Sequence, residues 1–444
     1  MQANLLNAVD AAEAIRDGSL TSTELVEACL ARIEQVDGNI EAWAHLDPAY
    51  ALQQAGVADE YRQMGGPLGP LHGVPVAIKD IIDTADMPTE NGTVLYSGRC
   101  PSTDATLVSL LREAGAVILG KAVTTEMAVF SPGKTRNPHN PEHTPGGSSS
   151  GSAAAVAAGM VPLSVGTQTN GSMIRPASFC GVFGFKPSHG RISRTGVLAQ
   201  SPMLETPGVY GRSLEDLALI AEVLMAYDAA DPVMKPQARP HILSVMAEEP
   251  PVDPHLAFVR SPVWDEADVV SKDAFRELID HLNENGEHVD IVDLPTAFDE
   301  AHETLRVVME ADLAKNFAKE YRDGKDKLST VLCDMIERGQ QVLATDYNAA
   351  VERAADLNAM LDMICEEYDA IVTPSAIGEA PKGLESTGSP TFCTIWTLCG
   401  TPALNLPVMQ GENGLPIGAQ LVSQKGDDAR LFRTARWMLK KLEE

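Results

Sequence analysis

Residues 146–175 read GGSSSGSAAAVAAGMVPLSVGTQTNGSMIR and carry a glycine- and serine-rich segment at each end. Between these ends, SAAAVAAG has the composition of a short helix that stops at Gly159, and VPLSV has that of a buried strand. A helix followed by a strand reverses the chain, so the second segment is expected to return beside the first. The stretch therefore predicts part of an α/β fold in which two loops bring Ser148 and Ser172 close together.

Lys79 lies upstream, in a second segment with the character of a buried strand. The run VPVAIKDII covers residues 74–82 and is almost continuously apolar, with Lys79 inside the strand or at its end. An ammonium group among such neighbours loses hydration, which lowers the pKa of a lysine and makes a neutral amine available as a base. A lysine at a strand end also often extends its amine to solvent, so this segment alone leaves both interpretations open.

Helix-like and strand-like segments alternate along the rest of the chain. A helical pattern over 104–114 precedes another apolar run, and the same alternation covers 255–295. Residues 1–60 have a mainly helical pattern, and so does an excursion over about 297–367 before the last strands. We therefore predict an α/β fold, a single large α/β/α domain around a mixed β-sheet that spans 1–444.

Charge and cysteine content limit the expected partners and compartment. The chain has 34 Lys and Arg against 62 Asp and Glu, a formal net charge of −28. A field of this sign repels phosphate backbones and anionic bilayers, so we expect no nucleic acid and no membrane as a partner. The N-terminus lacks the pattern of a signal peptide and the seven cysteines lack paired spacing, which predicts a cytoplasmic protein with reduced core thiols.

The polar residues at the end of the opening stretch suit a serine hydrolase. A serine hydroxyl needs a base that takes its proton and donors that hold the oxyanion. Glycine and asparagine tolerate the turns that aim successive backbone amides in one direction. The candidate oxyanion donors are the backbone N–H groups of Thr169, Asn170, Gly171 and Ser172. In this arrangement Ser172 is the nucleophile and Ser148 connects it to a base.

Several segments together resemble the amidase signature family of serine amidases. Three of them are GVPVAIKD at 73–80, TPGGSSSGSAAA at 144–155 and GTQTNGSMIRPASFCGVFGFKPS at 166–188. CGTPALNLPV at 399–408 and GLPIGAQLV at 414–422 are similar to the family's C-terminal pattern. The resemblance covers nearly the whole chain and implies the amidase signature fold.

The resemblance also implies a reaction and its residues. It implies a Ser–cis-Ser–Lys triad with Ser172 as the nucleophile, Ser148 as the bridging serine after a cis peptide bond, and neutral Lys79 as the base. Thr169 is expected to form a hydrogen bond with Ser148. The implied reaction is cleavage of the C–N bond of a small carboxylic amide through a seryl acyl-enzyme, with release of ammonia or an amine. The resemblance implies no metal, no cofactor and a homodimer.

Two regions depart from common family patterns. Asn170 stands where many members have glycine, so its side chain can narrow the oxyanion loop or add a donor. Arg175 follows Ser172 by three residues, a spacing similar to that of malonamidase-type members, in which the arginine grips a substrate carboxylate. A structural arginine bound to backbone carbonyls is the other interpretation. Trp396 and Thr397 stand where an asparagine is common, which predicts an unusual pocket wall.

Other hydrolase classes fit the sequence less well. GSSSG matches G-x-S-x-G, but a nucleophile elbow needs a strand directly upstream, and the preceding SPGKTRNPHNPEHTP is a proline-rich loop. The chain has no GxxxxGK[ST] motif. Four histidines near the motifs lack metal-ligand spacing and are expected to form loop hydrogen bonds: His72, His139, His143 and His189.

Three alternatives remain within the resemblance. They are the glutaminase subunit of a tRNA-dependent amidotransferase, a carbamate or aryl-amide hydrolase, and an inactive member that only binds its ligand. The position of Arg175 and the negative charge argue against the first, because its motif usually places the arginine two residues after the serine. Asn170 in the oxyanion loop keeps the inactive alternative open.

Overall fold

One mixed sheet passes through the residues described by the structure, a computed structural model covering 2–285 and 287–443. In chain order its strands are β1 (Trp43–Leu46), β2 (Pro75–Lys79), β3 (Val117–Ala122), β4 (Leu163–Gln168), β5 (Phe183–Lys186), β6 (Thr206–Gly211), β7 (Leu256–Arg260), β8 (Val289–Asp293), β9 (Ala370–Pro374), β10 (Ala403–Gln410) and β11 (Pro416–Val422). The order across this 11-stranded sheet is β1-β3-β2-β4-β6-β5-β10-β11-β9-β7-β8.

Helices precede, follow and connect these strands. They are α1 (Ala8–Asp17), α2 (Ser22–Ile40), α3 (Pro48–Gln63), α4 (Thr106–Glu113), α5 (Ser150–Ala157), α6 (Ile174–Cys180), α7 (Leu214–Leu224), α8 (Ile242–Ala247), α9 (Val269–Glu284), α10 (Ala301–Asn316), α11 (Ala318–Gly324), α12 (Thr330–Gly339), α13 (Ala344–Glu367), α14 (Thr394–Leu398) and α15 (Asp428–Glu443). Within the described ranges, no helix combines the length and the apolar content that crossing a membrane requires.

Alternate residues of each strand enter different apolar clusters. Val76 and Ile78 of β2 belong to a cluster with α4, α7 and α15, whereas Ala77 belongs to another cluster with α2 and α5. The residues of β7 divide in the same way between the first cluster and a third one that contains α10, α12 and α13. Because successive strand residues point to opposite faces, helices cover both faces of the sheet. The predicted α/β class with a mixed sheet is confirmed.

The parallel strands at the centre position the candidate site. β2 pairs in parallel with both β3 and β4, and every residue of these three strands is buried. Their carboxyl ends therefore lie at the same edge of the sheet. Lys79 is the last residue of β2, and β4 ends at Gln168. The segment that contains Ser172 thus leaves the sheet beside Lys79.

Three strands differ from the sequence-based expectation. β1 lies within the first sixty residues, whose pattern is mainly helical, because buried Trp43 pairs with Ala122 of β3 and this tertiary contact overrides local propensity. β5 and β6 are not evident from the pattern either. Gly184 and Gly208 interrupt their apolar runs, and glycine weakens the pattern of a strand.

Candidate active site

Lys79 and Ser148 are in direct contact. The Lys79 side chain is completely buried, and its Nζ donates a hydrogen bond to Ser148 Oγ at 2.7 Å and another to Thr167 Oγ1 at 2.9 Å. Thr167 is the penultimate residue of β4, so the pairing of β2 with β4 brings its hydroxyl to the amine. The structure therefore joins the upstream lysine to the first serine-rich segment.

Burial sets the protonation of Lys79. Loss of hydration lowers the pKa of Lys79 to about 7, and the negative charge of Glu205 acts in the opposite direction. Glu205 is itself buried, and burial raises the pKa of its carboxyl to about 7. Neutral Lys79 is therefore well populated at neutral pH, which is the form a base requires.

The segment that contains Ser148 is fixed by contacts on both sides. The Gly147–Ser148 peptide bond is cis, as the resemblance implies. The Ser148 carbonyl oxygen accepts a hydrogen bond from the Thr125 backbone N–H at 3.2 Å. Gly146 has φ +82°, and a Cβ added there would lie 2.9 Å from Pro176 Cα, so the chain needs glycine for this turn and for its packing against α6.

Ser172 lies in the turn between β4 and α6 and is half-buried. Its carbonyl oxygen accepts a hydrogen bond from the Tyr210 hydroxyl at 3.1 Å. The Gln168 side-chain oxygen accepts hydrogen bonds from the backbone N–H groups of Met173 and Ile174 at 2.8 and 3.0 Å, which holds the start of α6 against the end of β4. The Ser172 hydroxyl makes no hydrogen bond to any other described residue, Ser148 included, so the contact expected between these two serines is absent from this structure.

Contacts between the two serine-rich segments bring them side by side. Ser149 Oγ donates to the Thr167 carbonyl oxygen at 3.1 Å, and Ser149 Oγ also lies 3.9 Å from Met173 Sδ. Arg175 Nη2 donates to the Gly147 carbonyl oxygen at 2.6 Å. Residues that flank Ser172 thus touch residues that flank Ser148, which is the return of the chain predicted from the helix-and-strand spacing.

The loop proposed to hold an oxyanion is anchored from α14. Thr397 Oγ1 donates to the Asn170 carbonyl oxygen at 2.5 Å, and Thr394 Oγ1 donates to Asn170 Oδ1 at 2.9 Å. Among the described residues, no hydrogen-bond acceptor is found for the backbone N–H groups of 169–172, the four donors predicted from the sequence. These N–H groups are therefore free donors on a fixed loop, the arrangement that an oxyanion requires.

Trp396 and Thr397, where the sequence predicts an unusual pocket wall, contact the core and the loop of Asn170 and are not among the residues that line the cavity beside Asn170. Thr397 Oγ1 contacts the Asn170 carbonyl oxygen and also accepts a hydrogen bond from Gln168 Nε2 at 2.9 Å, so Thr397 braces the loop. Trp396 is buried in the apolar cluster under α10. No local sequence pattern indicates the bond between Thr397 and Asn170, because the two residues are 227 positions apart.

The expectation that Thr169 bonds to Ser148 is wrong. Thr169 Oγ1 donates to Gln200 Oε1 at 2.5 Å, while the hydroxyl beside Lys79 and Ser148 is that of Thr167. β4 ends at Gln168, so the alternation of side-chain directions along the strand stops before Thr169. Gln200 Nε2 donates in turn to the Met127 carbonyl oxygen at 2.8 Å, which ties Thr169 to a separate loop.

Arg175 is one of the largest fully buried side chains of the protein, with 1% exposure. Its Nη2 donates to the Gly147 carbonyl oxygen and, at 3.1 Å, to Thr387 Oγ1. Its Nε and Nη1 are buried and have no hydrogen-bond partner among the described residues. Burial lowers the pKa of Arg175 to about 10, so the guanidinium is still charged at neutral pH. Nη2 of Arg175 thus makes structural hydrogen bonds, whereas the N–H donors of Nε and Nη1 are unsatisfied.

A cavity of about 410 Å³ lies beside Asn170, which lines one wall together with Thr394. Lys79, Ser148, Ser172 and Arg175 are not among the residues that line it. Its other wall comes from α10 and α12, where Arg306 and Arg338 both pair with the buried carboxylate of Glu310. A different cavity of about 490 Å³ lies against α3, and its lining contains none of the motif residues. The cavity beside Asn170 is therefore the candidate approach for a substrate.

The remaining polar predictions have mixed outcomes. Each of the four histidine rings pairs with a backbone carbonyl oxygen, as expected, and these pairs are His72 with Ala58, His139 with Cys180, His143 with Ala380, and His189 with Pro202. All seven cysteines are free, but the expectation of core thiols is wrong for Cys100, which is exposed, and for Cys365, which is half-buried. Cys100 follows a turn and is exposed, so composition alone wrongly predicts that its thiol is buried.

A family model and a known protein both match nearly the whole chain. The family model described as Amidase matches residues 24–432. A glutamyl-tRNA(Gln) amidotransferase subunit of Chloroflexus aurantiacus (strain ATCC 29366 / DSM 635 / J-10-fl) is 33% identical over 465 aligned positions, which cover 96% of this chain and 95% of that protein.

Two solved structures have the same fold. Native peptide amidase from Stenotrophomonas maltophilia is 29% identical with a TM-score of 0.86, and the match covers 99% of this chain and 97% of that one. The second structure is of an unexpected vestigial protein complex that reveals the evolutionary origins of an s-triazine catabolic enzyme. Its matching chain is 26% identical with a TM-score of 0.91, and the match covers 98% of both chains. Both serine-rich segments and Lys79 fall inside the matched range of the family model.

Proposed function

This chain belongs to the amidase family, and we propose that Lys79, Ser148 and Ser172 carry its reaction on small carboxylic amides. It is an amidase, an enzyme that hydrolyses amide C–N bonds. The observation that carries the assignment of the three residues is the 2.7 Å contact between Lys79 Nζ and Ser148 Oγ, made by a lysine that is completely buried. Burial keeps this amine neutral enough to accept a proton near pH 7.

The proposed first half-reaction forms a seryl ester. Ser172 Oγ attacks the amide carbon while its proton passes to Ser148 Oγ, whose own proton passes to Lys79 Nζ. The free backbone N–H groups of 170–172 hold the oxyanion. The C–N bond then breaks as the proton returns through Ser148 to the departing nitrogen. Ammonia or an amine leaves, and the acyl group remains on Ser172.

Water completes the second half-reaction along the same proton path. Its oxygen attacks the ester carbon, and its proton travels through Ser148 to Lys79. The carbon–oxygen bond to Ser172 breaks, and the proton returns to Ser172 Oγ as the carboxylic acid leaves. Each group ends in its starting state, so the cycle needs no cofactor.

Arg175 is proposed to bind a carboxylate on the substrate. This assignment is supported by the two buried nitrogens of Arg175 that have no partner among the described residues, since a buried guanidinium with free donors favours an anion. The contact of Nη2 with the Gly147 carbonyl oxygen would orient the remaining edge. The substrate is then a small amide that carries an acidic group.

Release of ammonia by the purified chain, without partner proteins, tests this function. The substrates are a panel of dicarboxylic monoamides matched with neutral aliphatic amides, aryl amides and carbamates of similar size. We expect turnover of the acid amides above that of the neutral ones. Equal turnover removes the role of Arg175 in substrate binding but keeps the amidase assignment, whereas turnover of carbamates or aryl amides alone changes the substrate class.

A glutaminase subunit is the second candidate, because the relative from Chloroflexus aurantiacus has the name of an amidotransferase subunit. Glutamine is itself an acid amide, so the same site would accept it. The discriminating result is dependence on a partner. Such a subunit would release little ammonia from glutamine alone and more when the partner subunits are added, whereas a free amidase would be unaffected.

Assembly and compartment complete the proposal. We expect a homodimer, as the resemblance implies, and a cytoplasmic location, as the N-terminal sequence and the cysteine spacing predict. The seven free cysteines suit a reducing compartment. Light scattering after size-exclusion chromatography tests the dimer, and a mass of one chain at micromolar concentration would overturn it.

A further inference from the structure

Three potential metal ligands converge at the edge of the sheet that is farthest from β2. His255 directly precedes β7, His288 directly precedes β8, and Asp290 is the second residue of β8. One ligand atom from each of the three side chains lies within 4.8 Å of the other two. His255 Nε2 lies 3.0 Å from Asp290 Oδ2, and His288 Nδ1 lies 3.8 Å from Asp290 Oδ1.

Strand pairing explains why these groups meet. β7 and β8 run in parallel, with Leu256 opposite Val289 and Ala257 opposite Asp290. The residue before β7 therefore lies beside the residue before β8. His255 and Asp290 then meet across the two strands, and the two imidazole rings lie edge to face at 5.1 Å between centroids.

Neighbouring groups hold two of the three side chains in place. The Tyr368 hydroxyl donates to Asp290 Oδ2 at 3.2 Å, and the Tyr368 ring packs against the His255 ring at 4.6 Å between centroids. The backbone N–H of His255 donates to Asp369 Oδ2 at 3.0 Å, and the Asp369 N–H donates back to the His255 carbonyl oxygen at 2.9 Å. These contacts reduce the ordering that binding an ion would require.

We propose that His255, His288 and Asp290 bind a divalent transition-metal ion, with Zn²⁺ as the ion that best fits. Two imidazole nitrogens and one carboxylate oxygen suit Zn²⁺, whereas Mg²⁺ and Ca²⁺ prefer oxygen ligands alone. Bonds of about 2.0–2.2 Å in a tetrahedron place ligand atoms about 3.4 Å apart. This value lies between the 3.0 Å of the His255 contact and the 3.8 Å of the His288 contact, which are made to different oxygens of Asp290. Water supplies the fourth ligand.

The site acts on the stability of the sheet edge and not on amide hydrolysis. β8 is an edge strand with β7 as its neighbour, and six strands lie between β7 and β2, which carries Lys79. At about 4.8 Å per strand, the spacings from β2 to β7 add up to about 34 Å, so the ion would be roughly that far from the candidate active site. An ion shared by His255, His288 and Asp290 would clamp the start of β7 to β8, so its binding raises the unfolding temperature.

Calorimetric titration of the full chain with Zn²⁺ tests this proposal. The double variant His255→Ala/His288→Ala and the variant Asp290→Asn remove ligands. His241→Ala and Asp293→Asn are the matched controls, because His241 is an exposed histidine elsewhere and Asp293 is a carboxylate on the same strand that pairs with Arg260. Co²⁺ is titrated in parallel, since its visible spectrum reports coordination geometry and a thiolate ligand adds an intense near-ultraviolet band.

We expect wild type and both controls to bind one Zn²⁺ that the double variant does not. Loss of a group that only hydrogen-bonds to a metal ligand weakens metal binding by about 10–100-fold, so loss of a ligand itself should weaken it by at least about 100-fold. The Co²⁺ complex should be tetrahedral without a thiolate band. Zn²⁺ should raise the melting temperature of wild type more than that of the double variant, and ammonia release should be the same for both.

Any of three results overturns the proposal. One is equal Zn²⁺ affinity in wild type and the double variant, which places the ion elsewhere. Another is a thiolate band with Co²⁺, which assigns binding to a cysteine such as exposed Cys100. The third is a preference for Mg²⁺ or Ca²⁺ over Zn²⁺. Without metal, we expect the variants to melt at the same temperature as wild type, because none of the three side chains is fully buried. The comparison of Zn²⁺ affinities is then made between equally folded proteins.

Discussion

Lys79 Nζ lies 2.7 Å from Ser148 Oγ and has no carboxylate within ion-pair distance among the described residues. Lys121 on the neighbouring strand shows what a buried lysine does elsewhere in this protein. Its Nζ bonds to the Ile82 carbonyl oxygen at 2.6 Å and lies 3.9 Å from Asp80. Burial lowers the pKa of Lys121 to about 8 and that of Lys79 to about 7. Both amines are therefore partly neutral near pH 7, but of the two it is Lys121 that has a carboxylate within ion-pair distance to favour its charged form.

Replacing the base should sharply lower turnover without unfolding the protein. Lys79→Met removes the amine and keeps the volume of the side chain, so we expect kcat to fall by about 10²–10⁴-fold, the usual contribution of a general base. The remaining activity should recover in part at high pH, where hydroxide replaces the base. Steady-state ammonia release measures both effects.

Lys186→Met is the matched control for this substitution. Lys186 is equally buried, and burial also lowers its pKa to about 7, but its Nζ contacts the carbonyl oxygens of Pro187 and Thr401. If both variants lose activity to the same extent at equal melting temperature, Lys79 is not the base.

The pH dependence should follow the Lys79–Glu205 pair. Lys79 accepts a proton only when neutral, so kcat/KM should rise with pH through about 7 and level off above it. The Glu205 charge raises the pKa of Lys79, so Glu205→Gln should lower that pKa further and move the acid limb to lower pH. Ammonia release measured between pH 5 and 9, a range that brackets about pH 7, locates the acid limb of wild type and the acid limb of Glu205→Gln. A limb that moves to higher pH would contradict this coupling.

The Asn170 anchor should affect kcat more than KM. Thr397→Val removes the hydroxyl that holds the Asn170 carbonyl oxygen, which loosens the donors of 170–172. We expect kcat to fall by about 5-fold with little change in KM, because the loss of one hydrogen bond of about 1 kcal/mol misaligns groups that act in the transition state. Thr401→Val is the control, since Thr401 Oγ1 donates to the Trp396 carbonyl oxygen and not to the loop. Equal losses in both variants would show a general packing defect.

Much of the candidate site can be predicted from the sequence, because its parts are local. The helix-and-strand spacing predicts that Ser148 and Ser172 lie in adjacent loops, and the apolar neighbours of Lys79 predict a depressed pKa. Both follow from burial and strand pairing near each residue. The structure agrees with the sequence on Lys79 and Ser148, which are in hydrogen-bond contact.

What the sequence misses depends on tertiary contacts. Thr167 takes the position expected for Thr169 because β4 ends at Gln168, and strand ends are poorly defined by patterns. Thr397 braces Asn170 from a helix more than two hundred positions away. Gly184 and Gly208 weaken the strand pattern of β5 and β6, and these two strands form by pairing with each other in the sheet. None of these contacts leaves a periodic signal.

The substrate preference should depend on Arg175. Arg175→Met should lower kcat/KM for dicarboxylic monoamides by about 10–100-fold, as expected for the loss of a charge-assisted hydrogen bond of about 1.5–3 kcal/mol. Neutral amides should be affected much less. Thr387→Val is the control, because it removes a partner of Nη2 and keeps the guanidinium. Equal losses for acid and neutral amides in Arg175→Met would make this residue purely structural.

The most direct test of the central claim is the location of the covalent intermediate. The purified chain is incubated with an activated phosphonate, whose phosphorus bonds to the oxygen of an activated serine as its leaving group departs, and peptide mass spectrometry locates this stable mimic of the acyl-enzyme. We expect one adduct, on Ser172, that is absent from Ser172→Ala and forms more slowly in Ser148→Ala and Lys79→Met. An adduct on Ser148, or undiminished ammonia release by Ser172→Ala, would contradict the assignment of Ser172 as the nucleophile.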